Sequence, residues 1–146
     1  MKLKNYSTSV KPEKSIMQIE LLLSDFKASA IMKEYQSDGK VRTIAFRLNE
    51  VPYKLPMNTE GVKNVIFKNK RYTGRVNGMK SRDDKAYRIS CRIIKDWLHS
   101  QLSLIMSGQA QPDEILLPYI YNGQKTLYEA FKDKELGKFQ LEAPKK

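Results

Sequence analysis

Asp38-Gly39 lies between two strand-like runs, AIMKEY at 30–35 and VRTIAFRL at 41–48, and apolar residues alternate at Ile44, Phe46 and Leu48 of the second run. An Asp-Gly pair flanked by such runs is a strong hairpin signal, because both residues suit the positive φ of tight turns. The sequence therefore predicts two antiparallel strands at these positions. A short third strand is expected at 51–56, and its prolines favour an edge position in the sheet.

Helical periodicity precedes and follows this hairpin. Residues 12–27 repeat apolar side chains at helical spacing after a first-turn proline. A second helix is expected after a cap at Asn58 or Thr59, the longest over 83–107, and short helical segments beyond it, the last at 126–136. The order α-β-β-β-α-α-α predicts an α+β fold, a three-stranded antiparallel meander with helices packed on one face.

Length and composition favour one folded domain. The chain has 146 residues, of which 40% are hydrophobic, so residues 1–140 are expected to form a single α+β domain and 141–146 a loose tail. Cys91 is the single cysteine, which excludes an internal disulfide and suits a reducing compartment. No signal peptide or membrane-spanning segment is recognisable in the sequence. We expect a cytoplasmic protein of a bacterial host cell.

Positive charge is concentrated in one stretch, residues 68–82. The chain has a net charge of +11, and KNKRYTGRVNGMKSR contributes six basic residues and no acid. This pattern predicts a glycine-containing basic connector that meets a polyanion. A mobile, lysine-rich surface loop is the alternative reading. The basic residues are Lys68, Lys70, Arg71, Arg75, Lys80 and Arg82.

The predicted long helix carries a second row of cations. At about 100° per residue, its apolar residues fall on one side and its basic residues on the other. The apolar side is expected to include Ala86, Ile93, Ile94, Trp97, Gln101, Leu104 and Ile105, with Ile89 near its margin. The basic stripe consists of Lys85, Arg88, Arg92 and Lys95, with His99 beside it. Because the stripe begins where the connector ends, the two are predicted to form one positive surface. A solvated helix face, in which Asp84 pairs with Arg88, is the alternative.

Such a surface suits nucleic acid. Lysine and arginine neutralise phosphates and release counterions, and arginine also binds phosphate through two hydrogen bonds. Tyr72, between Arg71 and Arg75, is a candidate for stacking on an unpaired base, with ordinary packing as its alternative. These residues form no sequence-specific nucleic-acid motif, so the choice between DNA and RNA stays open.

Cysteine–histidine and metal chemistry find no support in the sequence. Carboxylate chemistry stays open through Glu34, Asp38 and Glu50 near the hairpin, with solvent-facing charges as the favoured reading. His99 and Cys91 lie about 12 Å apart along one helix, which excludes a nucleophile–base pair within it. Histidine and cysteine are too few for a thiolate or imidazole metal cluster, and no phosphate-binding glycine motif is present. We therefore expect no enzyme, no cofactor and no metal.

Several segments resemble a widespread family of small phage and prophage proteins, mostly uncharacterised. They are YSTSVKPEKSIMQIELLL, KASAIMKEY, GKVRTIAFRL and VPYKLP, then CRIIKDWLHSQLSLIMSGQAQPDEILLPYI and NGQKTLYEAF. The resemblance implies an origin in a mobile element and a shared fold, and it omits residues 68–82. The α-β-β-β-α opening is also similar in element order to phage single-strand annealing proteins of the Rad52-like group.

The leading hypothesis is a non-enzymatic nucleic-acid-binding accessory protein of phage or prophage origin. It would contact phosphates through the connector and the basic stripe. The alternative is a phage inhibitor of a host defence system (anti-CRISPR or anti-restriction) or of a polymerase complex, acting by binding protein or ribonucleoprotein. A third possibility is a structural subunit whose interface includes Tyr119, Tyr121, Tyr128 and Phe131, residues that otherwise pack inside the domain.

Overall fold

The computed structural model describes residues 1–73 and 78–134. In chain order the elements are α1 (Pro12–Asp25), β1 (Ala30–Tyr35), β2 (Val41–Leu48), β3 (Val51–Lys54), α2 (Thr59–Lys68), α3 (Lys70–Thr73), α4 (Met79–Met106), α5 (Pro112–Leu116), a 3₁₀ turn (Leu117–Tyr119) and α6 (Leu127–Lys132). Within these residues no helix is both long and apolar enough to cross a membrane.

The three strands form an antiparallel meander in the order β1-β2-β3, which confirms the predicted fold class. The hairpin turn has the expected chemistry. Gly39 has a φ of 87°, and the Asp38 carboxylate accepts the Lys40 backbone N–H at 3.0 Å. The third strand ends at Lys54 and is two residues shorter than predicted, although the Leu55 N–H still donates to the Ile44 carbonyl at 2.9 Å.

A second segment extends the sheet beside β3. Ile120 forms an isolated antiparallel bridge with Tyr53, and the Tyr121 N–H donates to the Pro52 carbonyl at 2.9 Å. Pro52 has no N–H of its own, so an edge strand tolerates it. The edge position predicted for β3 is thus correct within the three-stranded sheet, and Ile120 and Tyr121 then lie against that edge.

The main core lies between one face of the sheet, α1 and α4. Apolar residues of α1 and β2 face residues on one side of α4, and the Tyr87 hydroxyl of α4 accepts the Val41 N–H at 2.8 Å. This hydrogen bond fixes α4 to the hairpin. The fully buried members of this core include Ile19, Leu23, Ile44, Tyr53, Leu98 and Leu102.

A second, smaller core lies on another side of α4. Ile66 of α2 and Tyr72 of α3 are buried there against Ala86 and Ile89 of α4. The predicted apolar face of α4 was therefore incomplete. A helical projection that assumes one apolar side leaves out the residues on a second packed side. Among the members of the predicted face Trp97 and Leu104 are half-buried. Buried residues outside it are Tyr87, Ser90, Cys91, Leu98 and Leu102.

The predicted basic connector at 68–82 is wrong as a continuous loop. Lys68 ends α2, residues 70–73 form α3, and α4 begins at Met79 rather than near residue 83. Asp83 and Asp84 resembled a helix start because acids favour the first turn. The structure instead places Gly78 at the N-cap. The predicted tail, 141–146, lies outside the described residues.

Cys91 is fully buried in the main core, and burial raises the pKa of its thiol to about 12. Because the thiolate is the reactive form, the folded protein at about pH 8 is expected to react with a thiol reagent about a thousand-fold more slowly than the unfolded chain. The rate of reaction with the thiol reagent is measured by absorbance, with and without guanidinium. Equal rates in the two conditions would contradict the burial of Cys91.

Candidate nucleic-acid interface

Four cations lie exposed where α2, α3 and α4 meet, and we call them the junction surface. Their proximity follows from two contacts, Arg82 over the Phe67 ring of α2 at 5.0 Å and the Lys85 ammonium of α4 bonded to the Tyr72 carbonyl of α3. Among residues 1–73 and 78–134, none of the four forms an ion pair. The junction surface consists of Lys68, Arg71, Lys80 and Arg82.

Two acids follow these cations in the chain, and each binds a lysine from another element. The Asp83 carboxylate lies 2.6 Å from the Lys63 ammonium, and the Asp84 carboxylate lies 2.7 Å from that of Lys40. The bond from Lys40 lowers the pKa of Asp84. Lys40 therefore takes the place of Arg88, the i,i+4 partner expected from the sequence. Neither carboxylate compensates the charge of the junction surface through an ion pair.

The start of α4 adds a favourable backbone field. This helix is 28 residues long, its first turn contains no acid, and no described side chain caps it. Its unbonded N–H groups and macrodipole place partial positive charge at this end. Lys80 and Arg82 lie in this first turn, so the backbone and the side chains favour the same ligand, an anion.

The basic stripe of α4 is not an open surface. Its four side chains are half-buried, and three of them donate to neutral oxygens of other elements. Arg88 Nε donates to the Thr8 carbonyl at 2.9 Å, and Arg92 Nη1 to the Gln18 side-chain oxygen at 2.5 Å. The Lys85 ammonium donates to the Tyr72 carbonyl. The continuous surface predicted from connector to stripe is therefore interrupted.

Asp96 is the carboxylate that meets the stripe. It lies 3.6 Å from the Lys95 ammonium and 4.0 Å from Arg92 Nε, and it therefore balances part of their charge. The Asn5 side-chain amide also donates to it at 2.9 Å. Burial alone would raise the pKa of Asp96, but the Asn5 bond and the charges of Arg92, Lys4 and Lys95 lower it overall.

Burial acts in the opposite direction on Lys85. Its partly buried ammonium has a lowered pKa, first because of burial and then because of the nearby Arg88 charge. Lys85 and Arg88 therefore repel each other, and the oxygens to which they donate are uncharged. A negatively charged partner would relieve this repulsion.

Tyr72 is 5% exposed, and this contradicts its predicted role in base stacking. Its ring packs edge-on against Tyr6 with 5.2 Å between centroids, and its hydroxyl accepts the Leu3 N–H at 3.0 Å. The alternative reading, ordinary packing, is the correct one. Of the other predicted contact residues, Arg75 and the side chain of Lys70 lie outside the described residues.

The contacts made by residues 3–8 were not predicted from the sequence. The segment has no helical or alternating pattern, and it binds α4 through the Thr8 carbonyl, the Asn5 side-chain amide and the Lys4 ammonium. In retrospect, the apolar pair Leu3 and Tyr6, which packs on the second core, is the signal that the segment is ordered.

Two other features carry no comparable chemistry. A cleft of about 570 Å³ between α1, the hairpin and α4 is lined by both acids and bases. No group of three metal-ligating side chains occurs within residues 1–73 and 78–134.

The expected aromatic interface is divided, since Tyr119 and Tyr121 are half-buried whereas Tyr128 and Phe131 are 57% and 63% exposed.

Comparison of the chain with models of protein families, with curated proteins and with solved structures gives no match. The resemblance to phage and prophage proteins, and the similarity in element order to annealing proteins, stay predictions.

Proposed function

We propose that this protein is a non-enzymatic nucleic-acid-binding accessory protein, of the phage or prophage origin that the sequence resemblance implies. It binds the phosphate backbone through the junction surface. The observation that carries the proposal is the exposure of Lys68, Arg71, Lys80 and Arg82 without an ion-pair partner among the described residues. Such cations exchange their counterions for phosphates, and the released ions drive binding.

Phosphate binding of this kind is independent of base sequence. Contacts to phosphates position a protein on a strand, whereas contacts to base edges or stacking aromatics provide sequence or base preference. With Tyr72 buried, the aromatic group assigned to stacking is not accessible. We therefore expect similar affinity for oligonucleotides that differ only in sequence.

The proposal is tested by measuring binding through fluorescence anisotropy at several salt concentrations, with labelled single- and double-stranded DNA and RNA as probes. If the junction surface neutralises four phosphates, raising salt from about 50 to about 200 mM should weaken binding at least about 50-fold for single strands and about 150-fold for duplexes. Replacing all four cations by glutamine should reduce the slope of log K against log salt by about three to four.

A matched variant controls for net charge. Lys11, Lys14, Arg47 and Lys132 are also exposed and form no ion pair within the described part of the chain. Replacing these four by glutamine lowers the net charge by the same amount and should leave the slope almost unchanged. Equal effects of the two variants, or the absence of salt-dependent binding to every probe, would contradict the proposal. In the second case the alternative, a protein target in a host complex, becomes the better hypothesis.

A further inference from the structure

The segment before α1 crosses the basic stripe of α4, and we call residues 3–8 the strap. Its contacts with the helix and with α3 are both polar and apolar: Lys4 forms an ion pair with Asp96 at 3.5 Å, and Leu3 and Tyr6 pack on the second core. The Leu3 N–H donates to the Tyr72 hydroxyl, the Asn5 amide to Asp96, and the Thr8 carbonyl accepts from Arg88. The strap therefore covers part of the stripe and also contacts the residue next to Arg71.

Three of the half-buried cations of the stripe have neutral hydrogen-bond acceptors. The acceptor of Lys85 is the Tyr72 carbonyl, and that of Arg88 is the Thr8 carbonyl. Arg92 donates to the Gln18 side-chain amide oxygen, so all three acceptors are uncharged. Buried charges are normally paired with opposite charges, because neutral acceptors compensate desolvation poorly. The stripe thus retains most of its positive charge, with Asp96 as the carboxylate that contacts it among the described residues. Arg88 is the stripe residue that bonds directly to the strap.

A phosphate is a stronger acceptor for arginine than a carbonyl. Phosphate accepts two parallel hydrogen bonds from a single guanidinium and also carries the opposite charge, whereas a backbone carbonyl offers one neutral acceptor. A polyanion held at the junction surface therefore competes with the Thr8 carbonyl for Arg88. Asn5 and Lys4 also bind Asp96, and Leu3 and Tyr6 pack on the second core. Loss of the Thr8 bond therefore loosens the strap, and these remaining contacts oppose its displacement.

We propose that the strap is a displaceable cover, which shields Arg88 and the neighbouring stripe until a nucleic-acid backbone takes over those cations. This inference rests on the proposed function and adds its regulation: the footprint of the bound strand extends from the junction surface along α4 when the strap leaves. Because displacement opposes binding, a weakened strap gives tighter binding.

Asn5→Ala weakens the strap without altering any charge or any cation. The substitution removes the bond to Asp96, and alanine is strained at the φ of 63° that Asn5 adopts. We expect binding of the labelled single-stranded DNA to become about 3- to 10-fold tighter, with an unchanged salt slope. Asn49→Ala is the matched control, since Asn49 is exposed, has a φ of 51° and lies in the β2–β3 turn. The control should bind like the wild type.

Hydrogen exchange on the wild-type protein provides a second measurement that needs no variant. Amides of residues 3–8, including the bonded N–H of Leu3, are expected to lose protection when the DNA is bound. Two results would overturn the strap proposal alone, provided that the wild type binds in a salt-dependent manner. One is continued protection of residues 3–8 in the complex. The other is an affinity of Asn5→Ala equal to that of the control. If the wild type shows no salt-dependent binding, the proposed function fails and the strap fails with it.

Discussion

Replacing Leu98 by alanine is expected to lower the free energy of unfolding by about 3–5 kcal/mol, as for other large-to-small changes in a close-packed core. Leu98 is fully buried in the main core, on the side of α4 that faces α1 and the sheet. The loss has two parts, the transfer of the leucine methyl groups and the cavity that a rigid helix cannot close. For a domain with a typical stability of about 5–15 kcal/mol, this is a large fraction of the total.

Urea unfolding followed by circular dichroism measures this loss. Leu21→Ala is the matched control, because Leu21 is also helical but its side chain is 55% exposed on α1. The control should change the free energy of unfolding by less than about 1 kcal/mol. Equal losses in the two variants would show that α4 does not pack through Leu98.

Tyr72→Ala is expected to have a comparable effect, a loss of about 3–5 kcal/mol, because it removes a buried aromatic ring. The ring joins α3 to the second core and packs against Tyr6. Tyr72→Phe keeps the ring and removes the hydroxyl that accepts from Leu3, so a smaller loss of about 1 kcal/mol is expected.

The pair of Tyr72 variants separates a core residue from a stacking residue. A stacking tyrosine would lose about 1–3 kcal/mol of binding on truncation without loss of stability. Truncation of a core tyrosine instead lowers the free energy of unfolding, which urea titration measures. Tyr128→Ala, at an exposed position, provides the reference. Full stability of Tyr72→Ala would contradict the packing described for the second core.

The parts of the fold that local chemistry determines were predictable from the sequence. The bounds of β1 and β2 agree with the prediction at both ends, because alternation and the Asp38-Gly39 turn are signals within the strands themselves. The first-turn proline Pro12 similarly marked the start of α1. In these elements the decisive interactions are between residues near in sequence.

The packing of α4 was not predictable in the same way. Its start lacks a capping side chain, so the acids at Asp83 and Asp84 gave a false signal four residues later. Its second packed side depends on Ile66 and Tyr72, which come from elements whose position only the tertiary fold sets. A helical projection assumes one core and cannot recognise two.

The candidate site was predicted in part. Exposed cations at Lys68, Arg71, Lys80 and Arg82 agree with the composition of the basic run. The burial of the stripe was missed because its acceptors are mainly backbone carbonyls, which every residue has and which therefore leave no trace in the sequence.

The contact of Ile120 and Tyr121 with β3 has a consequence for the behaviour of the protein in concentrated solution. An unpaired strand edge is a template on which a second chain can add, and this is a common route to aggregation. Ile120 and Tyr121 obstruct that route at β3. At the opposite edge, β1 carries the charged pair Lys33 and Glu34, followed by an irregularity in its register. Charge and irregularity both discourage strand addition, so the two edges are protected by different means.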